Sequence, residues 1–230
     1  MLDLTRFKVL TFDCYGTMID WESGIFSALR PILKAHQRSI SDSALLELYS
    51  ELELMAESGE FLLYREVLQS VVRGFGQRLG FSPTDAEVRS LPESLKHWQP
   101  FPDTVAALRK LKRRYQLAVL SNVDDDLFAA TAPKLGVAFD HVVTAQQAGC
   151  YKPCMKMFKL AEQRIGVSRE RWLHVGQSIY HDVIPARSLG IATVWVNRLS
   201  PRPGAGAAKA ASGKPDLEVP DLQTLAQLAG

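Results

Sequence analysis

The chain has 230 residues, of which 47% are hydrophobic and 23% charged, a balance typical of a globular protein that buries its own core. Its 27 basic and 25 acidic residues give a formal net charge of +2, which argues against a nucleic-acid partner and against a membrane surface. No apolar run approaches membrane-spanning length and no secretory pattern opens the chain, so we expect a cytoplasmic protein.

The first predicted element is a buried strand at residues 7–12, a short apolar run that ends at the turn-prone residues 13–17. Residues 20–98 then show apolar positions at helical spacing and no clear strand. A Pro-Phe-Pro segment at 100–102 indicates the return to the strand-containing part. We therefore predict a helical cap domain at 20–98, inserted into a core domain formed by 1–19 and 99–230, and we expect it to lie over the site as a lid.

Strands and helices alternate in the rest of the chain. Strands are predicted at 117–120, 141–144, 172–175 and 192–196, and helices at 103–114, 127–135, 153–165 and 181–189, with Asp103 or Thr104 as a helix cap. Residues 201–215 are rich in Gly and Ala and are expected to form a mobile loop, followed by a short strand and helix at 216–229. This alternation predicts an α/β fold with a Rossmann-like, doubly wound parallel sheet.

Only three cysteines are present: Cys14, Cys150 and Cys154. Because the number is odd and no pair of CxxC motifs occurs, we expect reduced thiols.

Polar residues follow the ends of the predicted strands, where ligands bind in sheets of this kind. They form four clusters, which are 13–17, Ser121 with Asn122, Lys152, and 177–182. Each cluster alone is typical of a turn or a helix cap, so only their combination carries a functional argument.

In this order the four clusters resemble the four motifs of the haloacid dehalogenase superfamily, over residues 7–225. The most specific part is the string Phe-Asp-Cys-Tyr-Gly-Thr at 12–17. The resemblance implies that Asp13 is the nucleophile. Phosphatases of the superfamily have a second Asp where Tyr15 stands, and metal-dependent members have an acid where Gln177 stands. The Asp-x-Tyr-Gly-Thr form resembles the L-2-haloacid dehalogenase (type II) branch, which implies attack on carbon without a metal or other cofactor.

The implied reaction displaces halide from a short 2-haloalkanoate and forms an ester on Asp13, which water hydrolyses to a 2-hydroxy acid. Lys152 is expected to keep Asp13 ionised. Asp182 is the first candidate to activate water and His181 the second. The predicted hydrogen-bond donors to the substrate carboxylate or the developing oxyanion are Thr17, Ser121 and Asn122.

Substrate contacts are further expected from Tyr15, Gln177, Ser178 and His181, and from Arg38 or Arg65 of the cap as cations for the halide. The aromatic residues Trp21, Tyr64 and Trp98 are expected to pack in the core rather than to line the cleft.

Residues 177–182 also resemble a sub-branch that contains a hydrolase opening the ring of azetidine-2-carboxylate. A small halogenated or cyclic carboxylate is therefore the expected partner. The alternatives are a Mg²⁺-dependent phosphatase and a binding protein without activity, and the sequence leaves a homodimer open.

Overall fold

The computed structural model describes residues 2–198 and 211–230. Six parallel strands form one sheet in the order β3-β2-β1-β4-β5-β6. The strands are β1 (Val9–Phe12), β2 (Gln116–Ser121), β3 (His141–Thr144), β4 (Trp172–Gly176), β5 (Ala192–Val196) and β6 (Leu217–Val219). The predicted Rossmann-like α/β fold is thereby confirmed, and each predicted strand lies within about two residues of its expected bounds.

The centre of the sheet is β1, which is fully buried because helices cover both faces of a parallel sheet. Phe12 at its end lies in register with Val119 of β2 on one side and Val175 of β4 on the other. The chain order reverses across β1, so the carboxyl ends of β1, β2 and β4 flank the crevice where ligands bind in such sheets. Residue 13 therefore begins at the middle of that crevice.

Four α-helices, one short 3-10 helix (Leu95–His97) and no strand occupy the described chain between β1 and the helix that precedes β2. The α-helices are α1 (Trp21–Ala35), α2 (Asp42–Glu57), α3 (Tyr64–Leu79) and α4 (Asp85–Ser94). The hydroxyl or carboxylate of Asp20, Ser41 and Thr84 accepts a backbone N–H of the first turn of α1, α2 and α4, which explains where these helices begin. Helix α3 packs against both α2 and α4. The backbone N–H of Asp20 donates to the carbonyl of Gln99 at 2.9 Å, so both ends of the helical segment meet at one point of the core.

The remaining helices cover the sheet. They are α5 (Thr104–Lys112), α6 (Asp125–Thr131), α7 (Ala145–Ala148), α8 (Met155–Ile165), α9 (Ile184–Ser188) and α10 (Leu222–Leu228). The helix predicted at 181–189 instead starts with a π-helical turn, Ile179–Val183, which leads into α9. Such turns are frequent at functional sites, and this one carries two of the predicted site residues.

Asp103 is the N-cap residue of α5, as expected. Asp103 precedes the helix, but its carboxylate makes no capping hydrogen bond. It forms a two-pronged ion pair with Arg198 at 3.0 Å and 3.0 Å, and it accepts the backbone N–H of Leu222 at 2.8 Å. A bidentate pair with a guanidinium is stronger than a cap to a neutral N–H.

The expectation of three reduced thiols is also wrong. Cys150 and Cys154 form a disulfide, with Cα atoms 6.2 Å apart, and Cys14 is a free, buried thiol. The chain turns back on itself between α7 and α8, which brings two cysteines four positions apart within disulfide reach.

Two further expectations concern residues 201–215 and membrane-spanning helices. The predicted mobile loop at 201–215 lies mostly outside the described residues, and 211–215 have no regular secondary structure. Among the described helices, none combines the length and the apolar character that crossing a membrane would require.

Candidate active site

Asp13 lies directly after β1, and each of its carboxylate oxygens has one hydrogen-bond donor. Oδ1 accepts from Nζ of Lys152 at 2.8 Å, and Oδ2 accepts from the hydroxyl of Thr17 at 2.8 Å. The Thr17 hydroxyl in turn accepts the backbone N–H of Gln177 at 2.9 Å. Its one hydrogen therefore points at Asp13, so Thr17 orients the carboxylate. The expectation that Thr17 donates to a substrate is wrong.

The ammonium group of Lys152 is almost inaccessible, with 2% of the residue exposed. It donates to Asp13 at 2.8 Å, to Oδ1 of Asp182 at 2.7 Å and to the carbonyl of Leu120 at 2.9 Å. An ammonium has three hydrogens, and these three acceptors use all of them. Lys152 is thus a fixed positive charge between two carboxylates.

Asn122 holds the backbone of Lys152 on both sides. Its Oδ1 accepts the Lys152 N–H at 2.7 Å, and its Nδ2 donates to the Lys152 carbonyl at 3.3 Å. Asn122 thereby positions the lysine. Its Nδ2 has a second hydrogen and Asn122 lines the cavity, so its predicted donation to the substrate stays a prediction.

Asp182 is held by three groups. Besides Lys152, Nε2 of His174 lies 3.1 Å from its Oδ1, and the backbone N–H of Ser178 donates to its Oδ2 at 3.2 Å. There is no room for a side chain at Gly176, where a Cβ would lie 2.4 Å from Cγ of Asp182. The carboxylate is therefore fixed by its surroundings as firmly as the lysine is.

Charge and burial determine the protonation of this trio. Burial raises the pKa of Asp13, and the charge of Asp182 adds to the effect while Lys152 opposes it. Burial also acts on Asp182, but there the charge of Lys152 and the hydrogen bond from His174 outweigh it and hold the pKa below its usual range. For Lys152, the two carboxylates outweigh burial and raise the pKa to about 12. One positive charge is therefore shared by two carboxylates.

A cavity of about 60 Å³ opens above Asp13. A water molecule needs roughly 10–15 Å³ of such space, so the cavity suits a very small molecule. Most of the predicted site residues line it, namely Asp13, Tyr15, Ser121, Asn122, Lys152, Gln177, Ser178, His181 and Asp182. The other wall comes from the helical segment and consists of Trp21, Ser50, Glu53, Leu54, Glu57 and Tyr64. The expectation that Trp21 and Tyr64 serve only core packing is therefore incomplete.

Four of the lining side chains differ in how they are held. The hydroxyl oxygen of Tyr15 is hydrogen-bonded to Oγ1 of Thr131 at 2.9 Å, and Oγ of Ser178 lies 3.1 Å from Nδ1 of His181. Ser121 is 1% exposed, and its hydroxyl has no hydrogen-bond partner among the described residues. An unpaired buried hydroxyl is costly, so Ser121 is suited to bind a group that enters the cavity.

The two arginines expected to hold halide do not reach the cavity. Arg38 donates to the carbonyls of Leu79 and Gly80, both at 2.7 Å, and so closes the end of α3. Arg65 pairs with Asp124 at 3.1 Å and with Asp126. The helical periodicity of the sequence assigned Arg38 and Arg65 to the predicted cap. It did not show that each guanidinium binds acceptors away from the cavity.

The donor set does not fit a magnesium ion. Mg²⁺ requires near-octahedral oxygen ligation, usually with several anionic oxygens. Here Nζ of Lys152 already lies between the facing oxygens of Asp13 and Asp182. Within residues 2–198 and 211–230, no three His, Cys, Asp or Glu side chains are grouped as metal ligands.

Known proteins are similar to this chain in sequence and in fold. An (S)-2-haloacid dehalogenase of Pseudomonas sp. (strain YL) is 28% identical over 225 residues, which cover 96% of this chain and 94% of that protein. The (S)-2-haloacid dehalogenase H-109 of Pseudomonas putida is 28% identical over 192 residues, covering 82% and 85%. The L-2-haloacid dehalogenase of Xanthobacter autotrophicus with chloropropionic acid covalently bound has a similar fold, with a TM-score of 0.79, 21% identity and coverage of 96% and 98%.

The model of a protein family matches residues 7–190, which include Asp13, Lys152 and Asp182. Its description is a haloacid dehalogenase-like hydrolase. The chain belongs to the haloacid dehalogenase-like hydrolase family.

Proposed function

We propose that the protein is a hydrolase of the 2-haloacid dehalogenase type, which displaces a leaving group from the alpha carbon of a short carboxylate. The observation that carries this proposal is the setting of Asp13. Its carboxylate faces a small cavity, while Lys152 and Thr17 hold both of its oxygens in place. The names of the (S)-2-haloacid dehalogenase relatives support halide as the leaving group.

In the first step an oxygen of Asp13 forms a bond to the alpha carbon. The carbon–halogen bond breaks, and halide leaves with the bonding electrons, so no proton is needed. Lys152 balances the charge of the site throughout, and the hydroxyl of Ser121 donates to the substrate carboxylate. The covalently bound chloropropionic acid of the Xanthobacter autotrophicus enzyme is consistent with an ester intermediate.

In the second step water attacks the carbonyl carbon of the Asp13 ester and releases the 2-hydroxy acid. The low pKa of Asp182 and its contacts with Lys152 and His174 make it a poor base. His181 lines the cavity. We therefore assign His181 as the general base that accepts a proton from the attacking water. This reverses the order of the two candidates predicted from the sequence.

This assignment predicts that His181→Gln accumulates the ester. With 2-chloropropionate, intact-protein mass spectrometry should show a stable adduct on the variant and none on the wild type. His97→Gln changes an exposed histidine and serves as the control. If His181→Gln turns over at the wild-type rate, another group accepts the proton.

Measurement of halide release is the direct test of the proposed function. The substrates are chloro-, bromo- and fluoroacetate and both enantiomers of 2-chloropropionate, each with and without a chelator. We expect halide release that the chelator leaves unchanged. Phosphate release from an aryl phosphate that requires Mg²⁺, without halide release from any haloacid, would contradict the proposal.

The rate should also depend on pH in a specific direction. Asp13 must be ionised to attack, and its raised pKa keeps it protonated to a higher pH than an ordinary aspartate, whose pKa is about 4. The acid limb of kcat/KM should thus lie above that value. Because the charge of Asp182 contributes to the raised pKa of Asp13, Asp182→Asn should move the acid limb of kcat/KM to lower pH. An acid limb that stays at the same pH or moves to higher pH would disprove this explanation.

We further propose that residues 20–98 form a cap domain over a core of residues 1–19 and 99–230. Six side chains of the helical segment line the cavity, and its two ends meet where the backbone of Asp20 bonds to Gln99. This arrangement lets the cap exclude water from the nucleophile while the core supplies the charged trio.

A further inference from the structure

The disulfide encloses the residue that carries the positive charge of the site. Cys150 and Cys154 lie two positions before and two positions after Lys152, and their Cα atoms are 6.2 Å apart. The bond therefore closes the loop between α7 and α8 into a small ring with Lys152 at its centre. The disulfide thus restrains the backbone from which the ammonium group of Lys152 reaches Asp13 and Asp182.

The backbone of this ring depends on single contacts. Residues 149–154 form neither a helix nor a strand. The amide of Asn122 engages both backbone groups of Lys152, and the hydroxyl of Tyr151 donates to the carbonyl of Leu62, between α2 and α3, at 2.7 Å. A loop without the ladder of hydrogen bonds of a helix or a sheet opens at a low cost in free energy. A covalent link across the loop therefore has a large effect on where Lys152 lies.

The disulfide is better suited to fix this loop than to stabilise the whole fold. A disulfide stabilises a protein mainly by restricting the unfolded chain, and this effect grows with the number of residues in the closed loop. Cys150 and Cys154 are only four positions apart, so their bond excludes few unfolded conformations. Reduction should thus leave the fold largely intact while it frees the segment around Lys152.

The two bonded cysteines are accessible to a reductant. Both are half-buried, and both line a second cavity of about 360 Å³. Lys152 and His181 line this second cavity as well as the one above Asp13, so the two cavities share a wall. Thiol–disulfide exchange requires access of a thiolate to sulfur, which the second cavity provides. Cys14 differs because it is buried, and burial raises the pKa of its thiol, which makes it unreactive.

We propose that Cys150 and Cys154 form a redox-active pair, whose disulfide holds Lys152 in position and whose reduction by a dithiol slows the hydrolase. The pair is a site of reversible covalent modification outside the cavity above Asp13, and it regulates the reaction through the backbone of one residue. The inference rests on the proposed function, because turnover of a haloacid is the activity that the pair controls.

The reductant supplies the electrons and protons of this exchange. A thiolate of the dithiol attacks the sulfur of one cysteine, the S–S bond breaks, and the other cysteine leaves as a thiolate that takes up a proton. The second thiol of the reductant then displaces the bound cysteine from the mixed disulfide, which leaves the reductant as a disulfide. Two electrons and two protons pass to the pair in total. A low-molecular-weight disulfide reverses the exchange and closes the ring again.

Redox titration of the wild type tests the inference without any variant. The enzyme is equilibrated with mixtures of reduced and oxidised dithiothreitol, freed of small molecules under exclusion of oxygen, and assayed with 2-chloropropionate. The 2-hydroxy acid is measured instead of halide, because residual thiols also displace halide from haloacids. Labelling with N-ethylmaleimide and mass spectrometry give the fraction of the pair that is reduced.

We expect kcat/KM to fall on the order of tenfold as the pair becomes reduced, because small displacements of a positioned group are costly. Reoxidation should restore the rate. The acid limb of kcat/KM should also move to higher pH on reduction, since Lys152 lowers the pKa of Asp13 against the opposing charge of Asp182, and a loosened Lys152 lowers it less. An unchanged acid limb, a rate that ignores the redox state, or a pair that stays in one state throughout would each overturn the inference.

Variants assign the effect to the pair. The double variant Cys150→Ser with Cys154→Ser cannot form the disulfide, so it should show the rate and the acid limb of the reduced wild type in every mixture. Its one remaining cysteine, Cys14, serves as an internal control. A response to dithiothreitol that persists in this variant would move the effect to Cys14 and refute the assignment. Cys154→Ser alone serves the same purpose if the double variant does not fold.

Hydrogen exchange separates this inference from the proposed function. The backbone N–H groups of Lys152 and Cys154 have acceptors at 2.7 Å and 2.9 Å, and reduction should accelerate their exchange at least about tenfold. Exchange in α10, which packs on α5 and β6, should not change. If exchange accelerates but neither redox state hydrolyses a haloacid, the proposed function fails and redox control of the Lys152 loop stands. If both states hydrolyse 2-chloropropionate equally and exchange does not change, the proposed function stands and this inference fails.

Discussion

Asp13→Asn is expected to abolish halide release from any haloacid that the wild type hydrolyses. An amide lacks the anionic oxygen that attacks carbon, and loss of a nucleophile costs roughly 10⁴–10⁶-fold in kcat. The fold should persist, because the side chains have the same size and Lys152 keeps Asp182 and the Leu120 carbonyl as acceptors. Asp85→Asn changes an exposed acid of α4 and should retain wild-type turnover. Unchanged turnover in Asp13→Asn would refute the assignment of the nucleophile.

A labelling experiment tests the ester itself. In a single turnover in H₂¹⁸O with excess enzyme, water attacks the carbonyl carbon of the ester, so the label should enter the Asp13 carboxylate. The first 2-hydroxy acid released should carry unlabelled oxygen from Asp13. Label in that first product instead would mean that water attacks the substrate directly and that Asp13 serves as a base.

Lys152→Met is expected to have the largest effect on stability. The change leaves Asp13 and Asp182 near each other, largely buried and without their shared cation. Removal of one partner of a buried ion pair typically costs about 3–5 kcal/mol. The free energy of unfolding from urea titrations should fall by that amount, and halide release should be lost because the pKa of Asp13 rises further.

Two companion variants make this result specific. Lys156→Met alters an exposed lysine at the start of α8 and should change the free energy of unfolding by less than about 0.5 kcal/mol. The double variant Lys152→Met with Asp182→Asn removes one of the two stranded charges, so it should recover part of the loss. Strictly additive losses in the double variant would show that the two groups do not interact in the folded protein.

Much of the fold follows from the sequence because the strands are short apolar runs bounded by turn residues. Buried parallel strands need apolar side chains on both faces, as β1 shows. The same reasoning places Asp13, Ser121 and Asp182 at one edge of the sheet, and the structure brings them to one cavity. Their positions after the predicted strands, combined with the family resemblance of the four clusters, were therefore sufficient to find these residues.

Roles were harder to predict than positions. Thr17 and Asn122 lie at the expected strand ends, but the hydrogen bonds that they donate and accept in the structure go to Asp13 and to the backbones of Gln177 and Lys152. Arg38 and Arg65 belong to the helical segment as expected, but they bind acceptors away from the nucleophile. The direction of a side chain depends on tertiary contacts that periodicity does not contain.

Some residues of the site escaped the sequence analysis altogether. His174 lies inside the buried strand β4, where a single polar residue in an apolar run was the only signal. Glu53 and Glu57 occupy an amphipathic helix and have the appearance of solvated surface acids. Their place in the cavity follows from how α2 packs over the sheet, which no local pattern reveals.

The central place of β1 has a consequence for synthesis of the protein. This strand is synthesised before the other five described strands, and its partner β4 begins at Trp172, roughly 160 residues later. At about 5–20 residues per second, translation of that interval takes on the order of 10–30 s. Until then one edge of β1 stays unpaired, exposed to other chains or to chaperones. The middle of the sheet, and with it the setting of the nucleophile, is thus completed only after β4 has been synthesised.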